Sequence, residues 1–381
     1  MNDVVLKEIS VEQKSVFQGL KECLISKFDS RDAFLTGRGA SAIYAALKAI
    51  EKPESYVAIP SLTCPSIPSA VIAAGMKPLF LNIRLDDFNL DTSEIDFLPS
   101  NVAALIAPHM FGHPLEIEEI QRKCERRGIL LIEDIAQSFG EKINGKLMGS
   151  FGDLTVISFH PSKIVPGRGG GALLINANKS DLHEKIKAEI KKLPAIPDDF
   201  LFISRMMTSR VNMLLNESRT GKKDARKNIG RVYAENLDLI PYAHNADNEL
   251  FNLAGVMSVD KHLDMRKTRA DKYRKLIEHP MIIHPNLKTG SPLFRYSILI
   301  YGEDGSRQCR LLTDRLRANG IHASNLYYPS HLIFPDGTGR KLKNAEWVSE
   351  RIINLWLDDI AGDAYIKKTA DLITDFMNIG I

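Results

Sequence analysis

Two short stretches of the 381-residue chain carry residue types spaced for chemistry: Ile-Glu-Asp-Ile-Ala-Gln at 132–137 and Ser-Phe-His-Pro-Ser-Lys at 158–163. An acid closes an apolar run, a glutamine follows three residues later, and a serine at an expected strand end precedes a lysine by five residues. A carboxylate, an amide, a hydroxyl and an amine can serve as ring-nitrogen partner, ring contact, phosphate contact and Schiff-base amine. That is the set a protein needs to hold pyridoxal phosphate.

Lys163 is the indispensable member, because a Schiff base needs an amine. Partial desolvation favours that chemistry, and Phe159, Ile164 and Val165 flank it, although the position also suits a solvated surface lysine. Asp134 ends the run Ile-Leu-Leu-Ile-Glu-Asp, where a carboxylate can either cap the next helix or keep a pyridine nitrogen protonated. Its neighbour Glu133 must point to the other face of the strand, so only one of the two can meet a cofactor. The loop Thr-Gly-Arg-Gly-Ala-Ser at 36–41 leads into a helix, and backbone N–H groups at a helix start form an anion site. The stretch Gly-Arg-Gly-Gly-Gly at 167–171 lacks the Walker lysine and the dinucleotide fingerprint. His109, His113 and His160 match no standard metal-ligand spacing, and His160 reads as a hydrogen-bonded wall beside the cofactor. Tyr327, Tyr328 and His331 lie together on a late loop, where they can contact substrate or pack against another part of the chain.

The elements that must position these groups are visible as apolar runs at 56–60, 78–83, 103–108, 129–133, 154–159 and 171–175. Helix-period segments at 41–50, 66–74 and 116–127 lie between several of them. Alternation of this kind predicts a mostly parallel sheet covered on both faces, with ligands beyond the carboxyl ends of its strands. Thr63, His109, Asp134 and the 158–163 stretch all fall at or just after strand ends, so they can converge. The chain then turns helical and basic over 180–240, and 250–276 reads as one long helix. A strand at 294–301, a helix at 306–318, a strand leading to Tyr327 and a helix at 363–377 predict a small α+β unit beginning near Pro292.

A net charge of +3 is too small to argue for nucleic-acid or membrane partners, and the basic stretch 219–231 reads as a solvated helix face or loop. Four cysteines without CxxC spacing indicate neither a zinc site nor a disulfide framework. The N-terminus lacks a signal-type apolar core, so the expectation is a cytoplasmic protein with no metal, nucleic-acid or membrane partner.

Taken in order, the segments GASAIYAALKAI, IPSLTCPSIPSAVIAAGMKPLFLNI, APHMFGHPLEIEEI, GILLIEDIAQSFG and GSFGDLTVISFHPSKIVPGRGGGALL resemble the DegT/DnrJ/EryC1/StrS family of sugar aminotransferases. The similarity covers Phe34 to Ala177, with weaker traces at 248–272 and 320–335. It implies an α/β protein of pyridoxal-phosphate fold type I. A large domain over 1–245 would hold an N-terminal helix and a mostly parallel seven-stranded sheet between helices. A long connecting helix within 246–290 and a small C-terminal α+β domain at 291–381 would follow.

By the same resemblance Lys163 forms the Schiff base and carries the proton, Asp134 rather than Glu133 pairs with the ring nitrogen, Gln137 contacts the ring hydroxyl and Ser158 binds phosphate. Gly39 and Ala40 fall on the phosphate-loop pair, where a threonine is usual second, and Ser41 could supply the hydroxyl one position later. Cys64 stands where an aromatic residue usually stacks on the ring. Asn245, with a one-residue shift, takes the place of an asparagine given by the neighbouring subunit, and the arginine usual after it is absent. The resemblance further implies glutamate as donor, a nucleotide-linked keto sugar as acceptor and a homodimer with shared active sites. It fits polysaccharide or secondary-metabolite sugar synthesis. A sugar dehydratase on this scaffold has histidine in place of the lysine, so Lys163 speaks against it. A cofactor-binding protein with a regulatory or structural role is the remaining alternative.

Overall fold

The computed structural model describes residues 19–165, 167–176, 180–219, 224–286, 291, 293–325, 327–334 and 336–379. The segment before residue 19, Lys222 and Lys223 of the basic stretch, and Pro292 lie outside the described residues.

Seven strands form the main sheet: β1 (Asp32–Thr36), β2 (Tyr56–Pro60), β3 (Lys77–Leu81), β4 (Val102–Pro108), β5 (Leu130–Asp134), β8 (Leu154–Ser158) and β9 (Gly171–Ile175). A small hairpin, β6 (Lys142–Ile143) with β7 (Lys146–Leu147), interrupts the run. The spatial order is β1-β9-β8-β5-β4-β2-β3. Strands β3, β2, β4, β5 and β8 are parallel, whereas β9 pairs antiparallel with both β8 and β1. The wholly buried runs of β4 and β9 are what a sheet covered on both faces requires.

Helices α1 (Leu20–Phe28), α2 (Gly39–Ile50), α3 (Ser66–Ala73), α4 (Ile117–Arg127) and α5 (Ser180–Lys191) surround this sheet. Helix α4 shows how sequence sets such an element. Glu118 and Glu119 occupy its first turn, Arg126 and Arg127 its last, matching the helix dipole, and Gly128 at φ 63° ends it in the left-handed conformation. Ile117, Ile120 and Cys124 give it one apolar face against Leu105, Leu131 and Phe151. Helices α6 (Phe200–Arg219) and α7 (Ala225–Ala234) follow. Helix α7 buries Ala225, Ile229 and Val232 and exposes Arg226, Lys227 and Arg231, the solvated basic face expected from the sequence.

The single helix expected over 250–276 is two, α8 (Glu249–Met257) and α9 (Val259–Leu276). Ser258 at the junction turns its hydroxyl back onto the Gly255 carbonyl, a local bond that competes with helix continuation. The second sheet has the order β10-β11-β13-β12, from β10 (Ile282–Ile283), β11 (Arg295–Ile300), β12 (Ala323–Ser324) and β13 (Ile352–Trp356), all neighbours antiparallel. Helix α10 (Gly305–Ala318) joins β11 to β12, which run parallel with β13 inserted between them. Helices α11 (Lys343–Arg351) and α12 (Asp363–Ile379) complete this part, which has its own apolar cluster around Tyr273, Tyr296, Ile298, Leu312 and Ile373.

Candidate active site

The carboxyl ends of β2, β4, β5 and β8 lie side by side, with Pro108 in register with Asp134 and Asp134 with Val156. Strand alternation decides which acid faces the opening beyond them. Glu133 is fully buried on the other face, where it accepts hydrogen bonds from the N–H groups of Gly149, Phe151 and Gly152 at 2.7, 2.9 and 2.9 Å. It also accepts from His109 Nε2 at 3.0 Å, because His109 Nδ1 is the acceptor for the Leu115 N–H. Asp134 keeps one backbone partner, the Ala136 N–H at 2.9 Å. Burial pushes its carboxyl above the usual range, opposed by that bond and by the charge of Lys163.

Lys163 sits on the turn after β8, its backbone N–H bonded to the His160 carbonyl and its Nζ 5.3 Å from the centre of the Phe294 ring. It is half-buried, between the buried Ile164 and Val165 and the exposed Ser162. The 167–171 stretch is a backbone turn. Gly169 at φ 114° and Gly170 at φ 108° reverse the chain into antiparallel β9, and Asn252 clamps them, accepting from the Arg168 N–H and donating to the Gly169 carbonyl.

The phosphate-sized corner is built by close backbone approach. Helix α2 begins at Gly39, where a Cβ would meet the Ile157 carbonyl and the Ser158 Cβ at 3.3 Å. The first-turn N–H groups of Gly39, Ala40 and Ser41 have no acceptor within the helix. Ser158 Oγ, beside them, accepts only a long bond from the His160 N–H at 3.4 Å and keeps its own proton to donate. Ser41 does not share this role. Its hydroxyl donates to the Ile240 carbonyl at 2.6 Å and accepts from the Tyr242 N–H at 3.1 Å, so its single proton is spent on tying α2 to that segment. The expectation that Ser41 replaces the missing threonine thus meets a hydroxyl already engaged on both sides.

His160 bonds Ser162 Oγ through Nδ1 at 2.9 Å; desolvation, then the charges of Lys163 and Arg38, lowers its proton affinity. Gln137 uses Oε1 to accept from the Phe111 N–H and its amide to bond the Tyr327 hydroxyl. Tyr327 in turn packs edge-on against Phe111, 4.7 Å between centres. Cys64 lines a cavity of about 260 Å³ with Thr63, Tyr233, Tyr327 and Tyr328. The Thr63 hydroxyl in its wall is buried without a partner. The 61–66 segment holds no aromatic residue, and Tyr233, Tyr327 and Tyr328 are the rings that share the cavity with Cys64.

His331 is engaged at both ring nitrogens. Its Nδ1 meets Ser61 Oγ at 2.6 Å and its Nε2 meets Glu346 at 3.3 Å, so both ring nitrogens lock the late loop between β2 and α11. Burial lowers its proton affinity against the pull of Glu346. Tyr328 points its hydroxyl at the Leu215 carbonyl of α6, 3.4 Å away. Asn245 is exposed and caps a short 3-10 turn by accepting from the Asp247 N–H; it does not join the cluster of its own chain. Residues not singled out from the sequence also shape the opening: Arg38, Phe111, Asn252, Phe294 and Arg295. Of these Arg38, inside the glycine-rich loop, and Phe111, inside the 107–120 segment, fell within recognisable motifs.

A buried carboxylate at a strand end, an amine that acts on it and has no ion pair among the described residues, and a helix start beside a hydroxyl with one long bond together fit pyridoxal phosphate. Among the described residues no group of three or more metal-type side chains forms a cation site, and no helix is long and apolar enough to cross a membrane.

The chain is 26% identical to a GDP-perosamine synthase from Escherichia coli O157:H7, over 66% of its own length and 72% of that protein. It is 23% identical to a GDP-perosamine synthase from Vibrio cholerae, over 91% and 87% of the two. It shares its fold with ntda from Bacillus subtilis, solved with bound cofactor pmp, at 17% identity and a TM-score of 0.69, covering 94% of this chain and 76% of that one. The model of the DegT/DnrJ/EryC1/StrS aminotransferase family matches residues 17–194, the part that builds the strand-end cluster. Over residues 17–194 the chain is similar to the DegT/DnrJ/EryC1/StrS aminotransferase family.

Proposed function

We propose that this chain transfers an amino group from glutamate to a keto sugar, with pyridoxal phosphate held at the carboxyl ends of β5 and β8. The observation that carries the reading is Asp134, a desolvated carboxylate at a strand end on which the Lys163 charge acts. When bound, pyridoxal phosphate supplies an aldehyde for amines and a ring that withdraws electrons from the carbon being deprotonated.

In this reading Asp134 holds the proton on the ring nitrogen, and Gln137 touches the ring hydroxyl with the amide proton that Tyr327 does not use. Ser158 and the first-turn N–H groups of Gly39 and Ala40 hold the phosphate. His160 walls the site, and Cys64 lies against the ring face. Lys163 Nζ is the base that removes the proton from the glutamate α-carbon and the acid that returns one to the acceptor carbon. Tyr327 and Tyr328 border the acceptor. The two GDP-perosamine synthases that align over most of the chain support a nucleotide-linked sugar, and hence sugar synthesis for a polysaccharide or a secondary metabolite. A homodimer in which Asn245 reaches the neighbouring site completes the proposal.

The test is the visible absorption of purified protein with added pyridoxal phosphate, before and after glutamate. A band that needs Lys163, is lost in Lys163→Ala and is consumed by glutamate is the expected result. Protein that gives such a band but forms no amino sugar from any nucleotide-linked keto sugar, with any amino donor, overturns the reading.

A further inference from the structure

Phe294, the residue before β11, is ringed by cations. Lys163 Nζ lies 5.3 Å from its ring centre, the Arg266 guanidinium 6.0 Å and the Arg295 guanidinium 4.0 Å. Arg266 is spent on the backbone, since its Nη1 donates to the Phe294 carbonyl at 3.0 Å and reaches toward that of Leu293. Arg295 is different. Its guanidinium carbon lies close to the Phe294 ring and 4.4 Å from the Trp356 ring centre, and its one hydrogen bond among the described residues goes from Nη1 to the Phe294 carbonyl at 2.9 Å.

Among the described residues Nε and Nη2 of Arg295 have no acceptor, yet neither is among the buried polar atoms sealed from solvent. No ion pair engages it among the described residues; Asp358 acts on it only at longer range. A guanidinium that is 6% exposed and unpaired costs free energy that an anion at its open edge would recover. Two aromatic rings occupy its neighbourhood and leave in-plane donors as the available contact. Such a fork fits a single carboxylate through two parallel bonds. The position is also right. Tyr327, which bonds Gln137, is the other named group acting on Arg295, and Phe294 links Arg295 directly to Lys163.

We propose that Arg295 is the carboxylate-binding residue of this site and takes the α-carboxylate of the amino donor while Lys163 works at the adjacent α-carbon. The assignment rests on the aminotransferase reading above. It explains how a donor amino acid is oriented by a residue from the second sheet while the chemistry stays on the first.

The probe is glutarate, a dicarboxylate without an amine, titrated by calorimetry into the full chain loaded with pyridoxal phosphate. In the Trp347→Phe background Trp356 is the one remaining tryptophan of two, so its fluorescence reports the same binding. Arg295→Gln should weaken glutarate at least tenfold and raise KM for glutamate far more than it lowers kcat. Arg295→Lys, which keeps the charge and loses the fork, should recover part of the affinity and carries the test should the glutamine variant fold poorly. Glutarate bound equally by wild type and Arg295→Gln, glutarate ignored by wild type, or inorganic phosphate competing as well as glutarate would each overturn the proposal. Glutarate held through Arg295 in a protein that never transaminates would instead refute the activity and keep the carboxylate site.

Discussion

Glu133 and Asp134 are consecutive on β5 and divide the work of the sheet between its two faces. Glu133 gathers three backbone N–H groups and the His109 ring on the closed face, fixing the loop that leads into β8. Asp134, one residue later, has a single backbone bond and faces the opening. Two carboxylates of the same strand thus differ in role because the pleat alternates and because the donors lie on one side only.

Removing each charge should therefore have opposite effects on stability. Glu133→Gln places amide hydrogens against backbone donors and should cost about 3 kcal/mol. Asp134→Asn can keep the Ala136 bond and removes a desolvated charge. The Asp134 pKa is raised on folding, so its charged form opposes folding at pH above the raised value, and the opposition fades as pH falls toward the ordinary carboxylate range. Thermal unfolding should show Asp134→Asn more stable than wild type at pH 8, with the gain shrinking on acidification, while turnover is lost. An Asp134→Asn protein that is destabilised at pH 8 would contradict this account.

Ser41 and Ser158 offer a second paired comparison at the start of α2. Ser41→Ala leaves the Tyr242 N–H and the Ile240 carbonyl without their partner and should cost about 1–3 kcal/mol in denaturant unfolding. Its affinity for pyridoxal phosphate should stay within twofold of wild type. Ser158→Ala should do the reverse, lowering that affinity about tenfold with a smaller change in stability, since its hydroxyl makes one long internal bond. Loss of cofactor affinity in Ser41→Ala alone would return the phosphate role to Ser41.

The contrast between legible and illegible parts follows from range. Strands β2 and β9 were readable to the residue, because a fully apolar five-residue run between turn signals has few other uses. Strand β1 was missed, as Asp32 and Thr36 break its apolar run, and β13 was missed because α11 runs into it without a loop. Asp134, Ser158 and Lys163 were legible as motifs because each closes or follows a strand. The fates of Ser41 and His331 were not, since their partners Ile240 and Ser61 lie 199 and 270 residues away. Arg295 carried no local signal at all: an arginine at a strand start is ordinary until folding places two rings beside it.

Glu141, outside the strand-end cluster, gives the pH dependence of stability a specific source. Burial pushes its carboxyl up to about 7, against the weaker pull of Lys267 and of the Lys142 N–H. The ordinary value is 4.5, so between that pH and about 7 the folded chain holds a proton that the unfolded chain has released. Stability must then fall as pH rises through this window and stay level above it, by on the order of 3 kcal/mol for a shift of this size. Glu141→Gln keeps the shape and removes the titration. Its unfolding free energy should equal that of wild type near pH 4, below the ordinary value, and exceed it at pH 8. Parallel stability curves for the two proteins from pH 5 to 8 would show that Glu141 titrates alike in both states.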